Sequence, residues 1–216
     1  MGMVASFGRA ALAVTISVWA GVGLAAQFNT FPVSFPTKEG DMELVLPLPV
    51  WQDVTDMSLK LQAEVERSEE GESLYIDMMP PGQSMNGFTH IYGVFVQAGW
   101  DGSEMDAAND FAGQYVAACE KDNIRFGLIN NLGTDHPVAY AACGRRIDQQ
   151  SGALKTFGQM SLSHFRKSGT TMVRVYHQWI VDPFTATDQA SWPISSDALV
   201  QRGGVMEAAM DLHRKP

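Results

Sequence analysis

The chain has 216 residues, 45% of them hydrophobic and 18% charged, which is the composition of a folded globular protein and excludes a disordered one. Its formal net charge is −9, and an acidic chain repels phosphate backbones, so nucleic acid is not an expected partner. The acid is unevenly placed: residues 27–124 hold 4 basic and 17 acidic side chains, whereas 125–216 hold 10 and 7.

Residues 1–26 are short, apolar and small, with Arg9 as the single charge and Ala25-Ala26 before Gln27. This is the layout of a secretory signal peptide, with cleavage near Ala26. The alternative is an uncleaved anchor, because 17 apolar residues stand at the lower limit of a membrane span. Membrane contact is expected only through this segment, if it is kept. The mature protein is expected in the periplasm or outside the cell. Removing the segment leaves 190 residues, enough for one domain with a substantial core.

Residues 27–57 contain Pro32, Pro36, Pro47 and Pro49 and read as an extended arm with one short strand at 42–46. A single domain is expected over 58–216. Residues 58–79 read as a hairpin. Leu61, Ala63 and Val65 alternate with polar residues, Ser68-Glu69-Glu70-Gly71 turns the chain, and Leu74, Ile76 and Met78 continue the apolar set. Pairing Arg67 with Glu72 places all of these apolar residues on one face, which specifies the register. The acidic turn lacks the spaced ligands of a calcium loop and reads as a solvated tip. Residues 88–97 are apolar at both parities, as in a central strand covered on both sides.

Residues 103–120 read as a helix capped by Ser103, with Glu104 and Asp106 in its first turn. Met105, Ala108, Ala112, Tyr115, Val116 and Cys119 form its apolar stripe. Strands at 123–129 and 137–143 follow, around a turn at 130–135. In the second, Ala139, Ala141 and Cys143 share a face, and small residues there let the helix approach. Cys119 then meets Cys143. An even cysteine count in an oxidising compartment favours the same pairing, worth about 3 kcal/mol by loop entropy. Two cysteines 24 apart with no nearby histidine are not zinc spacing.

Residues 154–165 and 170–181 read as a second hairpin about Ser168-Gly169. With Lys167 opposite Thr170, His164, Val173, Val175, His177 and Trp179 share one face. Ser161, Ser163, Arg174, Tyr176 and Gln178 share the other. His177 then lies opposite Met160, four residues or about 13 Å from His164, too far for one metal to bridge. Ser195 or Ser196 caps a last helix reaching about residue 215, with Leu199, Gly203, Met206 and Met210 inward and His213-Arg214-Lys215 at its C-terminal dipole.

The expected fold is therefore α+β, a largely antiparallel sheet with one long helix packed on it and a C-terminal helix as a second cover. The sequence contains no G-x-S-x-G, H-E-x-x-H, C-x-x-C or Gly-rich phosphate loop, so no catalytic residue, metal or cofactor is assigned. Methionines read as core filling, and Met78, Met79, Met85 and His90 form the one local group with soft-ligand character. The element order, with Pro80-Pro81-Gly82, a strand, a helix ending in Cys119 and a strand carrying Cys143, resembles uncharacterised exported bacterial proteins of PsbP/Mog1-like α+β fold. The resemblance is one of layout, and it implies an accessory or binding role without assigning functional residues.

The leading expectation is an exported, non-enzymatic accessory protein that binds a protein of the cell envelope. The alternatives are a hydrolase with an unrecognised site and a carrier of a small apolar ligand or metal. The candidate partner surface comprises Arg174, Tyr176 and Gln178, with Arg145, Arg146 and Arg166 expected nearby at strand ends. An acidic protein or an anionic head group would fit it, unless the C-terminal helix covers this face.

Overall fold

A computed structural model describes residues 30–37, 40–51, 60–68, 71–84, 87–129, 136–148 and 150–215, with 60–72 described through their backbone alone. The segment read as a signal, the turn at 130–135 and Met85 lie outside the described residues.

The proline-rich arm is a hairpin rather than an extended lead-in. Strand β1 (Thr30–Thr37) pairs antiparallel with β2 (Gly40–Pro47), setting Phe31 opposite Leu46, Val33 opposite Leu44 and Phe35 opposite Met42. All six side chains are buried. Prolines 32 and 36 alternate with these apolar residues and point away from them. β1 is an edge strand, where a missing N–H donor is tolerated. Period-2 burial thus outweighs the proline signal.

Among the described residues, seven further strands form one antiparallel sheet. Strands β3 (Lys60–Ser68), β4 (Gly71–Met79) and β5 (His90–Ala98) come first, and helix α1 (Glu104–Ala118) follows. Then come β6 (Ile124–Leu128), β7 (Val138–Cys143), β8 (Gly158–Ser168) and β9 (Thr171–Val181). The spatial order is β3-β4-β5-β9-β8-β7-β6. The β3–β4 register sets Arg67 opposite Glu72 and Val65 opposite Leu74, as the alternation predicts.

In the β8–β9 hairpin, Ser168 pairs with Thr171 around the two-residue loop Gly169-Thr170. The register is thus two residues from the Lys167–Thr170 pairing expected. Gly169 supplies a positive φ of 59° in that loop, which glycine adopts without steric cost. A slip of two keeps every side chain on its face. It does, however, set His177 opposite Leu162, two residues from His164 rather than four.

One face of the large sheet carries Leu74, Ile76, Met78, Tyr92, Val94, Met160, Leu162, Val173, Val175 and Trp179. It forms the main core with the small sheet and helix α2 (Ser196–Ala209). Ser195 caps α2, accepting from the Ala198 N–H at 3.2 Å, and Leu199, Gly203 and Met206 face inward as expected. The helix does not run on to 215. Residues Asp211–Arg214 form β10 on the open edge of β2, and the Lys215 N–H continues the contact to the Asp41 carbonyl at 2.9 Å. Sheet pairing satisfies backbone groups that another helical turn would leave to water. His213 accordingly faces Glu43 and Asp211 rather than a helix terminus.

Helix α1 packs on the opposite face, over β6, β7 and β8. Ser103 and Asp106 form a reciprocal capping box: Ser103 Oγ accepts from the Asp106 N–H at 3.1 Å, and the Ser103 N–H donates to Asp106 at 2.8 Å. The buried stripe is Ala107, Ala108, Phe111, Tyr115 and Ala118. Met105 and Val116, expected inside, are 42% and 54% exposed. The helix is rotated so that the rings of Phe111 and Tyr115 enter the core beside Phe165 and Met172, since two aromatic rings remove more apolar area from water than Met105 and Val116 would. Ala139, Ala141 and Cys143 lie beneath it. Cys119 and Cys143 form the disulfide, with Cα atoms 5.6 Å apart.

Candidate functional site

Arg174, Tyr176 and Gln178 occupy alternate positions of β9 and share the face that α1 covers in part. The C-terminal helix does not cover this face: α2 lies on the opposite face, and α1 stands over β6–β8. Among the described residues, no helix makes its main contacts with β4, β5 or β9, and only the edge of α1, at Phe111, reaches Arg174.

A row of three residues across the strands builds the site. Asp77 of β4 pairs with Gly93 of β5, and Gly93 pairs with Tyr176 of β9. Gly93 has no side chain, so the Tyr176 ring lies across β5, and its hydroxyl donates to Asp77 Oδ1 at 2.5 Å. Burial, then the Asp77 charge, push the Tyr176 hydroxyl well above its ordinary pKa, so it remains a donor. The Arg174 guanidinium lies 4.9 Å from the Tyr176 ring centre and 5.3 Å from those of both Phe95 and Phe111. Among the described residues it makes no hydrogen bond or ion pair, and its Nε is buried without a partner. Its far end lines a groove between α1 and the sheet, with Gln97, Trp100, Asp110, Gln114 and Met172.

The other candidate residues do not join this surface. Arg166 projects from the opposite face and donates to Glu207 of α2 at 3.1 Å. Arg145 and Arg146 follow β7 at the far end of β8, where the Arg146 N–H meets the Phe157 carbonyl and its guanidinium lies over Tyr115. The six residues thus divide into a face of three and two separate positions.

Four of the five histidines form two local groupings. His164 donates from Nε2 to Glu207, which also takes Arg166. Beside it, His136 donates to Glu104 at 2.6 Å, and Glu104 accepts the Lys167 N–H at 2.6 Å. Burial pushes the His164 pKa down against the pull of Glu207, and burial raises that of Glu104. His90 and His177 share one hydrogen bond at 3.1 Å, amid Trp51, Tyr92 and Trp179.

These are histidine–acid and histidine–histidine pairs without a nucleophile in the described surroundings. Ser161 and Ser163 bond on the other face of the sheet, Ser161 to the His177 carbonyl at 3.1 Å. Among the described residues, no three His, Cys, Asp or Glu side chains converge on a metal position. Met78 and Met79 point to opposite faces, Met78 into the main core and Met79 toward Ile91 and Tyr176.

Sequence reasoning found Arg174 and Tyr176 by parity but missed Asp77, Gly93, Phe95 and Phe111. One signal was present: a lone glycine in the apolar run 88–97, a position that marks close approach of another group. Among the described residues, no helix is long and apolar enough to cross a membrane. No family model, curated protein or solved structure matches the chain.

Proposed function

We propose that this is an exported, non-enzymatic accessory protein that binds a protein of the cell envelope through the helix-free part of its large sheet. The observation that carries this reading is Arg174. The Arg174 guanidinium stands beside the buried rings of Tyr176 and Phe111 and the half-buried Phe95, without an acidic or carbonyl partner among the described residues. Arginine flanked by tyrosine and phenylalanine is the kind of anchor that concentrates binding energy at protein interfaces. The signal-like layout of residues 1–26 supports export, and the Cys119–Cys143 bond is compatible with an oxidising compartment.

The test is affinity capture from native envelope extract at low salt, comparing the wild type with Arg174→Met, which keeps bulk and loses charge. The expected result is loss of the captured component in the variant. Unchanged capture by a folded variant removes this surface as the contact.

A further inference from the structure

We infer that Arg174 is the receptor for a side-chain carboxylate of the partner protein, presented next to an apolar side chain. This rests on the reading of the helix-free face as the partner surface and names the chemistry it recognises.

The rings of Phe95, Phe111 and Tyr176 lie 4.9–5.3 Å from the guanidinium carbon, cation–π contacts that supply no oxygen acceptor for its N–H groups. A guanidinium carries five donors in a rigid fork and stays protonated. A buried donor left unpaired is costly, and Nε of Arg174 is such a donor. Two acids with described side chains beside this site are engaged elsewhere. Asp77 takes the Tyr176 hydroxyl at 2.5 Å, and Asp110 takes the Gln114 amide at 2.8 Å. The three aromatic rings hold the fork in place, so less side-chain freedom is lost when a carboxylate binds it in two-point geometry.

The groove indicates what accompanies the carboxylate. Trp100, Phe111, Phe165 and Met172 supply an apolar wall, and Gln97 and Gln114 supply amide groups. The enclosed space is only about 30 Å³ and opens to solvent, roughly the volume of one water molecule and far below small-molecule sites. It is a shallow surface groove that can meet the edge of a partner's side chain but cannot enclose a cofactor. The net charge of −9 gives the molecule no general attraction for anions. Phosphate-rich or anionic lipid surfaces, which depend on summed charge, are therefore disfavoured against one short-range paired contact.

The probes are acetyl-Phe-Glu-amide and acetyl-Phe-Gln-amide, titrated to millimolar concentration and followed by amide NMR. The Glu peptide is expected to shift groove amides such as Gln97, Trp100 and Met172. It should bind about tenfold more tightly than the Gln peptide, the difference between a charge-assisted and a neutral hydrogen-bonded contact. Arg174→Met should abolish that preference, and Arg174→Lys should keep only part of it. The peptide pair on the wild type decides the question even if Arg174→Met fails to fold. Equal binding of the two peptides, absence of shifts, or a Glu preference that survives in folded Arg174→Met overturns the inference. Loss of envelope capture without a Glu preference overturns the carboxylate and leaves the partner face standing. A Glu preference with unchanged capture supports the carboxylate and overturns the partner face.

Discussion

Replacing Gly93 with alanine tests whether the Asp77–Gly93–Tyr176 row holds the site. A methyl group there would stand 2.3 Å from Tyr176 Cζ, 2.5 Å from its hydroxyl oxygen and 2.6 Å from Asp77 Oδ1. Ordinary carbon contacts need roughly 3.5 Å, so the ring must move by about 1 Å or more. Gly93 is an interior strand position, flanked by β4 and β9, and the sheet cannot yield without breaking its ladder. Overpacking of this kind costs about 1–3 kcal/mol. Displacing the ring also forfeits the hydroxyl–carboxylate hydrogen bond, worth about 1.5–3 kcal/mol. A loss of about 2.5–6 kcal/mol follows, which lowers Tm by roughly 2–4 °C per kcal/mol for a chain of this size. Urea unfolding of Gly93→Ala, with Tyr176→Phe as the variant lacking only the hydroxyl, measures both parts. Adding Tyr176→Ala to Gly93→Ala should recover the overpacking part. A Gly93→Ala protein within about 0.5 kcal/mol of wild type would refute the reasoning.

Three further outcomes follow from the same geometry. Reduction of Cys119–Cys143, or its replacement by two alanines, should cost about 3 kcal/mol through the loop it closes; intact mass with and without alkylation reports the bond, and thermal unfolding reports the cost. Glu207→Ala should destabilise by about 3 kcal/mol, because it strips His164 and Arg166 of the carboxylate that ties β8 to α2; a Tm unchanged by this substitution contradicts that role. Stability should also fall with acidification below about pH 6.5, the ordinary histidine value. Burial, then the Arg202 charge, hold His90 down to about 3, and burial holds His177 well below its usual value. Between the folded and ordinary values the unfolded chain binds more protons, so stability is present above about pH 6.5 and is lost as the pH falls toward 3. A His90→Gln, His177→Gln variant should show a flatter profile over that window in pH-dependent urea unfolding.

Local patterns carry short-range information, and the elements that were legible are those built from it. The β3–β4 register follows from alternation within two adjoining runs and one turn. Ser103 and Ser195 act on N–H groups within three residues, so the caps of α1 and α2 could be read directly. Cysteine pairing was legible because the last turn of α1 and the small-residue face of β7 both pointed to it.

What the sequence alone determined is which side chains share a face, because strand parity has a period of two and needs no partner. It could not determine the β8–β9 register, since a slip of two residues preserves parity and changes only which residues stand opposite. Nor could it set the rotation of α1, which depends on how the Phe111 and Tyr115 rings fit against Phe165 and Met172. The proline-rich start became the hairpin β1–β2 because its alternate apolar residues pack into the main core, and residues 211–214 became β10 because pairing with the distant β2 satisfied their backbone groups. The surroundings of Arg174 belong to the same class. Phe95, Tyr176 and Phe111 come from three elements, and they meet only because β5 lies beside β9 and α1 packs across β8. That neighbourhood follows from strand order, a long-range property that tertiary packing decides.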